Sequence, residues 1–208
     1  MAERTLACSA CHGEQGRATA EGHFPRIAGK PMRYLHNQLL NFRDGRRQQA
    51  LMAGLTAQLS DAYLLEMAQH FAGLDLPYPA PQTQRVPEAS ARLARRLVFE
   101  GDPARRIAAC AACHGQALTG VRPAIPGLLG LPRDYLVEQI GSWKSGQRRA
   151  HAPDCMAEQA AALTPADIAA VALWLSAQPL PADPRAAAGL PAPLPLRCGS
   201  APELGAAR

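Results

Sequence analysis

Several things are scarce in this 208-residue chain, and each scarcity excludes a class of protein. Aromatic residues make up 5% of it, too few for a typical sheet-rich domain, and no segment keeps up the alternation of apolar and polar residues that a strand needs. Six cysteines are too few to scaffold a chain of this length with disulfides. No apolar run approaches the ~20 residues required to span a bilayer. The net charge of +5 is mild, and the arginine pairs Arg46/Arg47, Arg95/Arg96, Arg105/Arg106 and Arg148/Arg149 are scattered along the chain. They read as solvated helix ends and faces, and they make no stripe for nucleic acid.

Against these absences stand two copies of one pentapeptide, CSACH (8–12) and CAACH (110–114). Two thiols three residues apart on a helical turn can reach the two vinyl groups of a haem, and the following histidine then lies under the ring. Cys8, Cys11, Cys110 and Cys113 are therefore candidate thioether attachments, with His12 and His114 as candidate iron ligands. The same letters also occur in zinc sites and redox dithiols. Context decides between them, because the segments downstream of the two copies repeat as well.

FPRIAG (24–29) returns as IPGLLG (125–130), and YLHNQLLNFRDG (34–45) as YLVEQIGSWKSG (135–146), both 101 positions later. LSDAYLLEMAQHF (59–71) returns as LTPADIAAVALWL (163–175) at an offset of 104, so three residues are inserted between Gly146 and Leu163. The chain is a duplication of one unit. Each unit reads as helical: a middle helix opens at Pro31 or Pro132 and closes at Gly45 or Gly146, and a last helix is capped by Ser60 or Thr164. The expected fold class is all-α, two tandem helical domains each wrapped around one haem. Residues 1–76 and 89–178 form the domains, 77–88 a proline-rich linker, and 179–208 a Pro/Ala-rich tail lying over the surface or partly disordered.

What fills the second side of each iron decides the chemistry. Met52 lies forty residues after His12 and Met156 forty-two after His114, each in the loop ahead of the final helix. Their matched placement marks them as the second ligands, soft thioethers that favour ferrous iron. Met32 and Met67 read as packing residues. His23, His36, His70 and His151 recur at no equivalent position, and only His151 stands as an alternative ligand. Pro25 and Pro126 are placed to offer carbonyls to the ring N–H of the two ligating histidines.

Together these segments resemble class I c-type cytochromes in tandem, and most closely dihaem cytochromes of the c-four type, over about residues 6–178. The resemblance implies two covalently bound haem c groups, His12 with Met52 and His114 with Met156 as axial pairs, and Pro25 and Pro126 as carbonyl partners. It also implies periplasmic electron transfer between redox protein partners, with no catalytic residues. A dehydrogenase-bound cytochrome subunit and a dihaem oxidoreductase of thiosulfate dehydrogenase or peroxidase type are the alternatives. Two departures stand out. A helix matching ASARLARRLVFEG (89–101) and an export signal would both precede Met1, so a truncated start is expected. Cys155 and Cys198 are left over. In an oxidising compartment they pair and pin the tail near the second haem; otherwise Cys155 binds iron as a thiolate, the one feature pointing to catalysis.

Overall fold

A computed structural model describes residues 3–19 and 24–205. His23 and Met1 lie outside the described residues. The first unit contains α1 (Leu6–His12), α2 (Met32–Arg43), α3 (Ala50–Thr56) and α4 (Asp61–Ala72). The second contains α5 (Glu88–Phe99), α6 (Cys110–His114), α7 (Arg133–Lys144), α8 (Cys155–Ala162) and α9 (Pro165–Ser176). One short sheet departs from the sequence expectation: β1 (Gly120–Val121) pairs antiparallel with β2 (Ile125–Pro126).

The caps are those the sequence provides. The Ser60 hydroxyl accepts from the backbone N–H of Tyr63 at the start of α4. Thr164 and Asp167 form a reciprocal capping box at the start of α9, and Arg105 adds a 2.7 Å ion pair to the Asp167 carboxylate. Pro31 and Pro132 precede α2 and α7, where the missing N–H leaves no orphan donor.

In the second unit, Ala94, Leu97 and Val98 of α5 pack on Val171, Ala172 and Leu175 of α9, with Tyr135 and Leu136 of α7 closing the core. In the first, Leu35 of α2 meets Ala68 and Phe71 of α4, with Cys8 and Ile27 against them. Between the units, the chain from 75 to 87 has no regular structure but is held down. Arg26, 2% exposed, donates to the carbonyls of Leu76 and Pro77 and stacks on Tyr78, its guanidinium 4.0 Å from the ring centre.

The two units meet about a pseudo-twofold axis. Tyr34, Gln38 and Phe42 form one stripe of α2, and their counterparts Tyr135, Gln139 and Trp143 form the same stripe of α7. Arg47 stacks on Phe42 and reaches across to Tyr135 and Gln139 of the other unit. Arg148 stacks on Trp143 and reaches back to Tyr34 and Gln38. The backbone follows the same symmetry: Gln48 N–H donates to Gln147 O and Arg149 N–H to Arg46 O, both at 2.7 Å. This corrects the reading of Arg47 and Arg148 as solvated, since Arg148 is only 5% exposed and Arg47 half-buried, while Arg149 is exposed as expected.

Candidate functional site: the two CxxCH motifs and their surroundings

Each CxxCH motif occupies a short helix whose last residue is the histidine. Immediately after it the chain turns away through a glycine in the left-handed region, Gly13 at φ 77° and Gly115 at φ 84°. A side chain there would be strained, and at Gly13 it would collide with the backbone of Ala18. Both imidazoles are buried. The His12 Nδ1–H donates to Pro25 O at 2.8 Å, and the His114 Nδ1–H to Pro126 O at 2.8 Å. Burial pulls both rings below the usual histidine range, and the carbonyl contact only partly offsets this. Each histidine is thus a neutral ring with its tautomer fixed, leaving Nε2 as a free lone pair, which is the form that binds iron.

The thiols are unlike those of a redox dithiol, which is activated by a depressed pKa. Burial pushes Cys8 and Cys113 up, and Cys110 up to about 11. Among the described residues no group of three or more His, Cys, Asp or Glu side chains is placed to hold an ion, as a zinc site requires.

In the first unit Cys8, Cys11, His12 and Pro25 line one cavity of about 350 Å³ together with Met52 and Met67. Its wall is mostly apolar, from Leu35, Leu64 and Phe71, but Lys30, Tyr34 and Arg47 border it too. Arg47 and Arg148 have no carboxylate within ion-pair distance among the described residues. Burial drives Lys30 and Arg148 below their usual ranges, with neighbouring cations adding to it. Burial alone would raise the Tyr34 phenol, but Arg148, Arg47 and Lys30 more than offset that and bring it down to about 8. An apolar slot with thiols and a neutral imidazole, bordered by Lys30 and Arg47, which make no ion pair among the described residues, and also by Glu138, fits a group with an apolar ring and acidic side arms. Haem c is such a group.

Met52 and Met156 are not in loops, as expected from sequence. They lie in the first turns of α3 and α8, because Gln49 and Asp154 cap helices there: Gln49 Oε1 accepts from Met52 N and Asp154 Oδ1 from Ala157 N. Met67 is buried in α4 and also faces the first cavity. His70 packs edge-on against Phe71, and His151 lies in the loop before α8, its ring pulled down by burial and by Arg46. Cys155 and Cys198 form a disulfide, which closes the alternative of Cys155 as an iron ligand in this state.

The chain is 38% identical over 174 residues to the thiosulfate dehydrogenase electron acceptor of Thiomonas intermedia, covering 83% of this chain and 79% of that one. It is 31% identical to cytochrome c4 of Pseudomonas aeruginosa, covering 83% and 84% of the two chains. This chain belongs to the cytochrome c4 family. No family model matches it. Cytochrome c4 from Pseudomonas stutzeri superposes with a TM-score of 0.71 at 27% identity, over 84% of this chain and 95% of that one. Thiosulfate dehydrogenase TsdBA from Marichromatium purpuratum matches with a TM-score of 0.72 at 28% identity over 83% of this chain, which spans only 36% of that longer one. As a cytochrome c4 the chain has the two-domain all-α fold, carries two covalently bound haem c groups, and is an electron carrier rather than an enzyme. No single helix among the described residues is long and apolar enough to cross a membrane.

The junction between the units was missed by sequence reasoning, although its signal was present. Tyr34/Tyr135, Gln38/Gln139 and Arg47/Arg148 are identical residues at the offset of 101. A polar residue repeated in both units and placed on the face of a core helix is a contact across the axis.

Proposed function

We propose that this cytochrome c4 passes single electrons in the periplasm through two haems, attached at Cys8/Cys11 and Cys110/Cys113. His12 with Met52, and His114 with Met156, hold the two irons. The observation carrying this reading is that both units place a buried, neutral histidine against a proline carbonyl and a methionine in the first turn of a following helix. When bound, haem c supplies a one-electron ferric/ferrous couple. The chain's own residues do the rest. Pro25 and Pro126 fix the imidazoles, the two methionines supply neutral soft donors that favour the ferrous state, and the apolar walls keep water out. A histidine and a methionine on each iron would leave no position open to a substrate.

The electron donor is a dehydrogenase of an oxidisable inorganic sulfur compound, a reading favoured by the 38% identity to a thiosulfate dehydrogenase electron acceptor. Two measurements test these statements. The visible spectrum of the fully reduced protein should not change on adding carbon monoxide; rapid binding at one haem would mean an open site and would sink the six-coordinate carrier. In stopped-flow mixing, a purified thiosulfate dehydrogenase plus thiosulfate should reduce the protein faster than thiosulfate alone. Equal rates would remove that donor.

A further inference from the structure

The second unit carries a device that the first lacks. Its methionine directly follows Cys155, the first residue of α8, which is bonded to Cys198 of the tail 43 positions away. The tail also grips the other side of this point, where the N–H of Gly199 donates to Pro153 O at 2.9 Å. Gly199 sits against the backbone of His151 and Ala152 so closely that a Cβ would have no room. This seat lies in the segment that holds the three-residue insertion, so the loop that breaks the repeat is the loop that receives the tail.

The rest of the tail is fastened along the same face. Ala187 exchanges backbone hydrogen bonds with Gly120 and Arg122, at 2.9 and 2.8 Å. Leu194, 3% exposed, and Ala201, 1% exposed, pack with Val121, Ala124 and Ile125, and Cys113 packs against this cluster. Beyond the disulfide, Ser200 O accepts from Asn37 of the first unit at 3.0 Å. The tail is thus anchored on three sides of the disulfide. In the first unit, by contrast, Met52 follows Leu51, which is 48% exposed, and its helix start is held by the Gln49 cap and by the Gln48 N–H bond to Gln147 O, with no covalent clasp.

We infer that the Cys155–Cys198 bridge, with the tail it anchors, is a positioning element for Met156 that holds the potential of the second haem above the value it would have without the bridge. This rests on the reading that Met156 ligates the second iron. The bridge acts in two ways. It fixes the start of α8, so that the thioether has one place to be. It also removes the neighbouring Cys155 sulfur from competition, since a free thiolate is the stronger donor to ferric iron and would lower the potential. Tail packing against Cys113 further dries the second site, which disfavours the more highly charged ferric state.

The test is a spectroelectrochemical titration of the holoprotein as wild type, Cys155→Ala/Cys198→Ala and Cys198→Ala. In the double variant one wave should stay in place. The other should fall, lowering the ferrous-to-ferric ratio at a fixed solution potential by about tenfold, or 59 mV for one electron. In Cys198→Ala the freed Cys155 sulfur should lower that wave further. Reducing the bridge in folded wild type with a dithiol gives the same comparison without relying on a variant to assemble. Both waves unmoved, with the far-red thioether-to-ferric absorption present, would overturn the positioning role and leave Met156 ligation standing. Absence of that absorption from the second haem of the wild type would remove both.

Discussion

The arginine pair at the junction permits a double-mutant prediction whose sign is set by shared acceptors. Gln38 Oε1 accepts from Arg47 at 3.0 Å and from Arg148 at 2.9 Å, while Gln139 Oε1 accepts from Arg148 at 2.7 Å and also from Arg47. Replacing Arg148 with Met removes its charge-assisted hydrogen bonds to the two glutamines, besides a long 3.4 Å contact with the Tyr34 hydroxyl, but each glutamine keeps one donor. At ~1.5 kcal/mol per bond, the lower end of the range because the glutamines are only half-buried, Arg148→Met costs about 3 kcal/mol. Arg47→Met costs about the same. In the double variant both amide oxygens lose their last donor across the junction, adding about 1 kcal/mol each. Charge repulsion acts in the same direction. Each single variant relieves the Arg47–Arg148 repulsion, whereas the double variant can relieve it only once. The pair should therefore be worse than additive, with an interaction energy of about 2 kcal/mol. Denaturant unfolding of the holoprotein, followed by haem absorption and by the fluorescence of Trp143 and Trp174, measures all four corners of the cycle. Additivity within about 0.5 kcal/mol would show that the glutamines are not shared in solution and would refute the reasoning.

Other expectations rest on single contacts. The Asp167 carboxyl is pushed up by burial but pulled further down by Arg105 and Thr164, so it lies below the usual carboxylate range. A depressed folded pKa gives stability that is present above the unfolded value of 3.8 and is lost as pH falls through the folded one. Stability of the second unit should therefore drop in acid below about pH 4, and Asp167→Asn should be less stable at neutral pH with a flatter acid limb; an unchanged limb would contradict this. Arg26→Met should free the 75–87 segment from its carbonyl anchors, read as faster proteolytic cleavage there with both haem spectra intact. Gly120 has φ 93°, and a Cβ would meet Gly127 N and Ile125 O at 2.6 Å, so Gly120→Ala should cost about 2 kcal/mol or more in thermal unfolding.

Much of this was legible in the residues because it is local. Pro31, Gly45, Ser60, Thr164 and Asp167 act within one turn of where they stand, and the helices start and stop there. The CxxCH motifs and their proline carbonyls were visible because duplication printed each twice. What sequence reasoning misplaced depends on distant contacts. Arg47 and Arg148 look like charges at helix ends until the opposing helix is set 101 residues away. Met52 and Met156 lie in helices and not in loops: segments of seven and eight residues are short for a helix by pattern alone, yet the caps at Gln49 and Asp154 suffice once the neighbouring helices cover them. Composition left the tail either lying over the surface or partly disordered, and while the spare cysteines pointed to its anchor, no local signal shows that Leu194 and Ala201 find a buried site beside β1 and β2.

The twofold junction has a consequence for the direction of current. A contact in which each side presents the same tyrosine, glutamine and arginine looks identical from either end, so it conducts without preferring a sense. Any rectification must come from parts of the molecule that the duplication does not share. A covalent clasp and thirty residues of tail, present on one half only, are where a symmetric wire acquires a polarity.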